Sequence, residues 1–240
     1  MIEFDGVSKS YNRGRIKAVD GLTLTVKPGE IFGFLGPNGA GKTTTIKLIV
    51  GLLRPDSGRI LVEGFDVQKE PLRTKSLTTY VPDTPAVYER LTGLEYLNFI
   101  GDVYGVPKAE RLSRIDRWLE VLELGSAVGS PIQSYSHGMK QKIILIAALL
   151  PAPRVMVLDE PLVGLDPRSA HHLKEMMRSH CDAGGTLFFS THIMEVAEKL
   201  CDRIGIIDKG RLIACGTMDE LKRLNSEQSL EKIFLDLTEK

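Results

Sequence analysis

Cysteine is scarce in this chain, aromatic residues make up only 6% of it, and no long apolar run interrupts it. The three cysteines, Cys181, Cys201 and Cys215, are odd in number and lack CxxC spacing. They suit a reducing cytosol better than a disulfide framework. The longest apolar stretch, IILIAALL at 143–150, falls far short of the ~20 residues that span a bilayer. Any dealings with a membrane are therefore expected to pass through a partner. The opening MIEFDGV has neither the basic nor the apolar region of a secretory signal. Neither sign of charge is in excess: Lys+Arg and Asp+Glu both number 31, for a net charge of zero. A nucleic-acid binder usually carries a basic excess that displaces counterions, so no nucleic-acid partner is expected. No HExxH or paired Cys/His spacing supports a structural metal, and no NKxD-type guanine-reading sequence appears.

What is there is ordinary globular material. The chain has 240 residues, 42% apolar and 26% charged, enough for a substantial core. Short β-type runs come first, IEFDGV and then LTLTVKPGEIFGFLG, with Lys27-Pro28-Gly29 as a turn. A glycine-rich loop feeds an apolar-periodic helix at roughly 42–52. GRILVEGFDV (58–67) reads as two short strands and SLTTYV (76–81) as another. From about 84 to 150 the pattern is helical. Thr92-Gly93-Leu94-Glu95 has capping-box spacing. Leu112, Ile115, Leu119 and Leu122 give a buried stripe at helical intervals. Pro151 and Pro153 end the last of these helices. VMVL (155–158) is the continuous apolar run of a strand buried on both faces. Asp166-Pro167 reads as an N-cap with Pro at N1, opening a helix that stops at Gly184-Gly185. TLFFS (186–190) is a strand, 193–201 a helix, RIGIIDKGRLIACG a hairpin, and the tail at about 218–240 helical. Strands alternating with helices imply an α/β fold with a mainly parallel sheet, interrupted by an inserted α-helical subdomain at about 84–150.

The chemistry concentrates at three places. Gly36-Pro37-Asn38-Gly39-Ala40-Gly41-Lys42-Thr43 fits GxxxxGK[ST], between a predicted strand and a predicted helix. Its glycines let successive N–H groups turn inward around phosphate oxygens, and the helix behind adds its positive end. Lys42 is expected to reach the β- and γ-phosphates, and the Thr43 hydroxyl to ligate Mg²⁺. VMVLDE then delivers Asp159 and Glu160 to the top edge of the sheet. Asp159 can hold Mg²⁺ through a water, and Glu160 can polarise an attacking water. His192, after TLFFST, falls at the same edge, able to contact a γ-phosphate. His171, His172 and His180 sit in a predicted helix as solvated or packing residues. The third place is YSHGM (135–139), whose adjacent Ser136 and His137 invite a nucleophile–base reading. Neighbours at a helix start point in different directions, which argues against a shared proton.

These motifs, in this order, resemble the ATP-binding cassette family over about 1–220, specifically the nucleotide-binding subunit of an ABC transporter. The resemblance implies a P-loop NTPase core with an N-terminal antiparallel β subdomain, all within one ABC ATPase domain. It implies ATP and Mg²⁺ as ligands, with the phosphate loop extending over Thr44. By the same resemblance, Tyr11 stacks on adenine, and the D-loop is GLD at 164–166 with Asp166 signalling across an interface. YSHGM takes the place of the LSGGQ signature, so Ser136 and Gly138 bind the γ-phosphate held by an opposite subunit, an anion site at a helix N-terminus. The sequence departs from the family at His137, at Met139, and at Asp83, where the family usually has glutamine; Asp83 is expected near Mg²⁺ directly or through water. The implied partners are a transmembrane permease and a second nucleotide-binding subunit, identical or related, with the chain peripheral on the inner face of the cell membrane. Val87, Tyr88 and Leu91 are candidates for contact with the permease, or else pack the helical subdomain. The form of the signature and the terminal LEKIFLDLTEK resemble the bacterial export-type branch. The alternative is a soluble cassette ATPase working on nucleic acid, ribosomes or cofactor assembly. Tandem cassettes, a long coiled coil or a basic surface would favour it, and none is present. A P-loop small-molecule kinase would need a substrate lid instead of the signature.

Overall fold

The computed structural model describes residues 1–225 and 229–238; positions 226–228 and 239–240 of the expected helical tail lie outside the described residues. The chain opens with β1 (Ile2–Tyr11), β2 (Ile16–Val26) and β3 (Ile31–Leu35), which feeds α1 (Lys42–Ile49). β4 (Ser57–Val62) and β5 (Phe65–Asp66) precede α2 (Pro71–Leu77) and β6 (Thr78–Val81). α3 (Gly93–Val103), α4 (Lys108–Val121) and α5 (His137–Leu149) follow, with short 3-10 turns at Gly125–Ala127 and Ile132–Ser134. The remainder runs β7 (Val155–Asp159), α6 (Pro167–Asp182), β8 (Thr186–Ser190), α7 (Met194–Leu200), β9 (Arg203–Asp208), β10 (Arg211–Gly216), α8 (Met218–Asn225) and α9 (Leu230–Thr238).

Two sheets result. One is antiparallel in the order β2-β1-β4-β5; the other runs β10-β9-β3-β8-β7-β6 and is parallel except for the β9–β10 hairpin. β3, β7 and β8 are buried at every position, because helices or the other sheet cover both their faces. Phe188 of β8 meets Phe4 of β1 at 6.4 Å and Phe34 of β3 at 5.1 Å between ring centroids, which pins one sheet to the other. A second apolar cluster joins α3, α4 and α5 to the far face of the parallel sheet.

The parallel register decides where chemistry can occur. Val81 is level with Leu158, Asp159 with Ser190, and Phe34 with Ser190. The C-terminal ends of β3, β6, β7 and β8 therefore share one edge, the crevice where open α/β sheets place their ligands.

Several expected elements change in detail. β2 and β3 are the expected strands around Lys27-Pro28-Gly29, but they belong to different sheets. β2 alternates buried and exposed positions in its second half, whereas β3 is wholly buried. α1 ends at Ile49, short of 52, where Val50 and the left-handed Gly51 (φ 69°) turn the chain. Leu112 is 47% exposed, a correction to the predicted stripe: Ile115, Leu119 and Leu122 are buried, and Arg111 turns inward to pair with Asp102 at 2.6 Å. α2 is not foreseen in the sequence because PLRTKSL lacks apolar periodicity, and only Thr74 is buried. Its one signal is Pro71 at the first helical turn. The Thr92–Glu95 capping box forms as expected, the Thr92 hydroxyl accepting from Glu95 N and the Glu95 carboxylate accepting from Thr92 N. No helix among the described residues is long and apolar enough to cross a membrane.

Candidate active site

The loop from Gly36 to Gly41 is shaped by sterics that only glycine meets at two positions. A Cβ on Gly41 would lie 2.1 Å from Ala18 O, and this residue has φ 113°. A Cβ on Gly36 would lie 2.4 Å from Ile207 O. The loop thus rests on β2 and β9. The turn between β9 and β10 also holds it, through the Gly210 N–H donating to Ala40 O at 2.9 Å. Lys42 folds back over the loop, and its Nζ donates to Gly36 O at 2.6 Å and Pro37 O at 3.2 Å. Burial pulls the Lys42 ammonium below its usual pKa, while the Glu160 and Asp159 carboxylates act in the opposite direction.

β7 delivers the carboxylates. Asp159 is 1% exposed and accepts from Ser190 Oγ at 2.5 Å. Its Oδ2 is buried and has no hydrogen-bond partner among the described residues. Burial raises the Asp159 pKa; the Ser190 and Thr43 hydroxyls oppose this, and the Asp83 and Glu160 charges add to it. The next residue, Glu160, holds φ 50°, a conformation rare outside glycine and found where a site imposes it. Its N–H is shared between Ser190 O and Ser190 Oγ, both at 3.2 Å. Its Oε2 stands 3.0 Å from His192 Nδ1.

These groups share one cleft of about 370 Å³, lined by Tyr11, Ala18, Asn38, Gly39, Gly41, Lys42, Thr43, Thr44, Asp83, Asp159 and Glu160. Gly36, Pro37 and Ala40 build the loop without lining the cleft, and His192 joins it through Glu160. Tyr11 reaches it from the end of β1, 39% exposed. Ala18, Ser190 and Gly210 shape the cleft or its loop, and reading the sequence misses them. The one available signal is that Ser190 ends a predicted strand, as Asp159 does.

The cleft carries three carboxylates against one ammonium, and the orphaned Asp159 Oδ2 is the feature that a divalent cation fits. Among the described residues no group of three or more His, Cys, Asp or Glu side chains is arranged to hold a metal. A cation here would thus complete its shell with phosphate and water oxygens, the habit of Mg²⁺. Thr43, Asp159 and Asp83 are the side chains within the cleft that would face it; Asp83 Oδ1 already accepts from Thr84 N at 2.7 Å.

Ser136, Gly138 and Asp166 lie outside this cleft. Ser136 caps α5, accepting from Met139 N at 3.3 Å, so its hydroxyl serves a helix start. Asp166 caps α6, accepting from Ser169 N at 2.9 Å and from Ser169 Oγ at 2.7 Å, and pairs with Lys142 at 3.0 Å. These contacts hold its carboxyl well below the usual carboxylate range. Among the histidines set aside in the sequence, His171 is exposed and His180 is partly buried, its ring against Gly185.

Residues 19–163 match the ABC transporter family. The chain is 42% identical over 221 residues to the linearmycin resistance ATP-binding protein LnrL of Bacillus subtilis (strain 168), covering 92% of this chain and 70% of that protein. It is 39% identical over 220 residues to the Nod factor export ATP-binding protein I of Paraburkholderia xenovorans (strain LB400), covering 92% of this chain and 72% of that one. In three dimensions it matches the solved ATP binding subunit of an ABC transporter with a TM-score of 0.95 at 35% identity, over 99% of both chains.

Proposed function

The chain belongs to the ABC transporter family and is an ATP-binding ATPase subunit, and from that premise we propose that it powers export through a separate membrane-spanning partner, working on its cytoplasmic face. The observation that carries the reading is the division of the phosphate-binding parts. The loop, Lys42, Asp159 and Glu160 share a cleft, whereas the Ser136–Gly138 helix start lies outside it. Two copies, or this chain with a related one, close head to tail so that each cleft receives the other's Ser136 and Gly138. A nucleotide bound by both chains favours the closed state by its differential affinity.

Within a closed site the loop N–H groups and Lys42 hold the phosphates, and Tyr11 offers a face to the adenine. Thr43, Asp159 and Asp83 are the side chains that would hold Mg²⁺, which would supply neutralisation of the phosphate charge. Glu160, its N–H held by the Ser190 carbonyl and hydroxyl oxygens, orients and polarises the attacking water, and His192 steadies the γ-phosphate. Hydrolysis of this kind depends mainly on positioning and charge stabilisation. Export is the direction named for the similar Nod factor protein, and the signature form agrees with it.

The membrane partner docks beside the helical segment. A groove of about 430 Å³ there includes Leu52, Leu72 and Val103, and Leu72 is 84% exposed. Of the three sequence candidates, Val87 and Leu91 are partly buried and pack against the apolar cluster that includes Leu97 and Ile143. Tyr88 is 59% exposed, its ring edge-on to Phe99 at 5.4 Å.

The test is complementation. Lys42→Ala and Ser136→Ala chains are each expected to hydrolyse ATP poorly, and an equimolar mixture to recover activity, because one hybrid site keeps both parts. A mixture no more active than its components would remove the shared-site reading. A phosphorylated metabolite appearing in step with ADP would point to a kinase instead.

A further inference from the structure

One side of α5 grips the loop that runs from Glu160 to Asp166. Gly164 holds φ 80°, and a Cβ there would lie 2.6 Å from His137 Cδ2 and 2.9 Å from its Nε2. A Cβ on Gly138 would in turn lie 3.0 Å from Gly164 O. One turn further along, Gln141 Nε2 donates to Pro161 O at 3.5 Å, and Lys142 Nζ meets Asp166 Oδ2 at 3.0 Å. Positions 137, 138, 141 and 142 share one side of the helix. The Val163 N–H donates to Glu160 O at 3.2 Å, so the loop is folded back onto its own first residue. The imidazole therefore occupies the space that a side chain at 164 would need.

We propose that His137 is a positioning residue: its seat on Gly164 makes the placement of Glu160 depend on what occupies the N-terminus of α5 in the same chain. This rests on the two-chain reading above, in which that N-terminus meets the partner's nucleotide. A tightly packed contact transmits a shift of the helix, because neither group can slide without moving backbone. The Lys142–Asp166 pair has a long flexible arm and absorbs the same shift. Nucleotide engagement by the start of α5 is thereby passed to Glu160 in the chain's own cleft, and the two sites of a dimer cooperate.

His137→Ala is expected to leave the ATP affinity of the full chain within about twofold, since no part of the seat lines the cleft. It lowers kcat about tenfold with KM little changed, and brings the Hill coefficient for ATP towards one. Gly164→Ala separates the ring contact from simple backbone damage. The strain of a side chain at this φ is common to both backgrounds and cancels in a double-mutant cycle. Its loss of kcat is expected to be at least about fivefold larger with His137 present than in the His137→Ala background. Equal losses in the two backgrounds, or wild-type kcat and cooperativity in His137→Ala, would overturn the role of His137. The two-chain reading has its own readout, the ATP-driven dimer of Glu160→Gln seen by light scattering. Absence of that dimer overturns both ideas, whereas its presence with equal losses overturns only this one.

Discussion

His192 Nδ1 lies 3.0 Å from Glu160 Oε2, joining two side chains that follow the ends of adjacent parallel strands. The His192 N–H also faces this carboxylate oxygen, at 3.4 Å. The imidazole and the backbone of one strand end thus aim the carboxylate of the other. Glu160→Gln is expected to keep ATP binding and to lower hydrolysis by about 10²–10⁴-fold, the range for a positioned acid–base group. His192→Ala loses a comparable amount, and the double variant is little worse than either, because the two act as a unit. Hydrolysis by Glu160→Gln at the wild-type rate would show that another group handles the water.

Lys42 is buried over the phosphate loop, where its two carbonyl contacts hold the ammonium in place. Lys42→Ala removes the positive charge the phosphates would meet in a low-dielectric setting. ATP affinity is expected to fall about 100-fold, some 2.7 kcal/mol. Isothermal titration calorimetry checks it. Lys42→Met, which keeps the volume, separates a binding defect from a folding one, and unchanged affinity in both variants would reassign the loop.

Asp83 places a third negative charge on the cleft and raises the pKa of Asp159 from a distance. If that charge helps draw the cation, Asp83→Asn shifts the Mg²⁺ concentration for half-maximal hydrolysis upward by roughly 3–10-fold. A Mg²⁺ titration of both proteins at saturating ATP makes the comparison. Superimposable curves would leave Asp83 with no part in metal binding.

Asp166 caps α6 and carries a depressed pKa through Ser169 and Lys142. A carboxyl whose folded pKa lies below its unfolded value stabilises the fold above the unfolded value. That stabilisation is lost as pH falls through the folded value. Asp166→Ala is therefore expected to cost about 1 kcal/mol at pH 7, a typical N-cap penalty. The gap from wild type narrows as pH drops below the ordinary carboxylate value of 3.8. Urea unfolding at pH 7 and at pH 3 measures it; a gap that widens in acid would contradict the sign.

Local chemistry made part of this protein legible in advance. Gly36, Gly41, Lys42 and Thr43 are legible as a candidate phosphate loop because GxxxxGK[ST] is complete within eight residues. Asp166-Pro167 and the Thr92–Glu95 box announce helix starts because capping is settled within a few residues. β3, β7 and β8 betray burial on both faces by unbroken apolar runs. α2 escaped because its apolar pattern is faint.

The sequence alone determined the strands, most of the helices, and the identities of the groups able to handle a phosphate. Which of them meet depends on packing between segments distant along the chain. Sheet order sets β8 between β3 and β7, and this brings Ser190 under Asp159 and His192 onto Glu160. Ala18 against Gly41 and His137 against Gly164 arise in the same way, between segments far apart along the chain. Such contacts depend on how elements pack and leave no periodic trace in the residues themselves, whereas turns, caps and strand burial are fixed by neighbours a few bonds away.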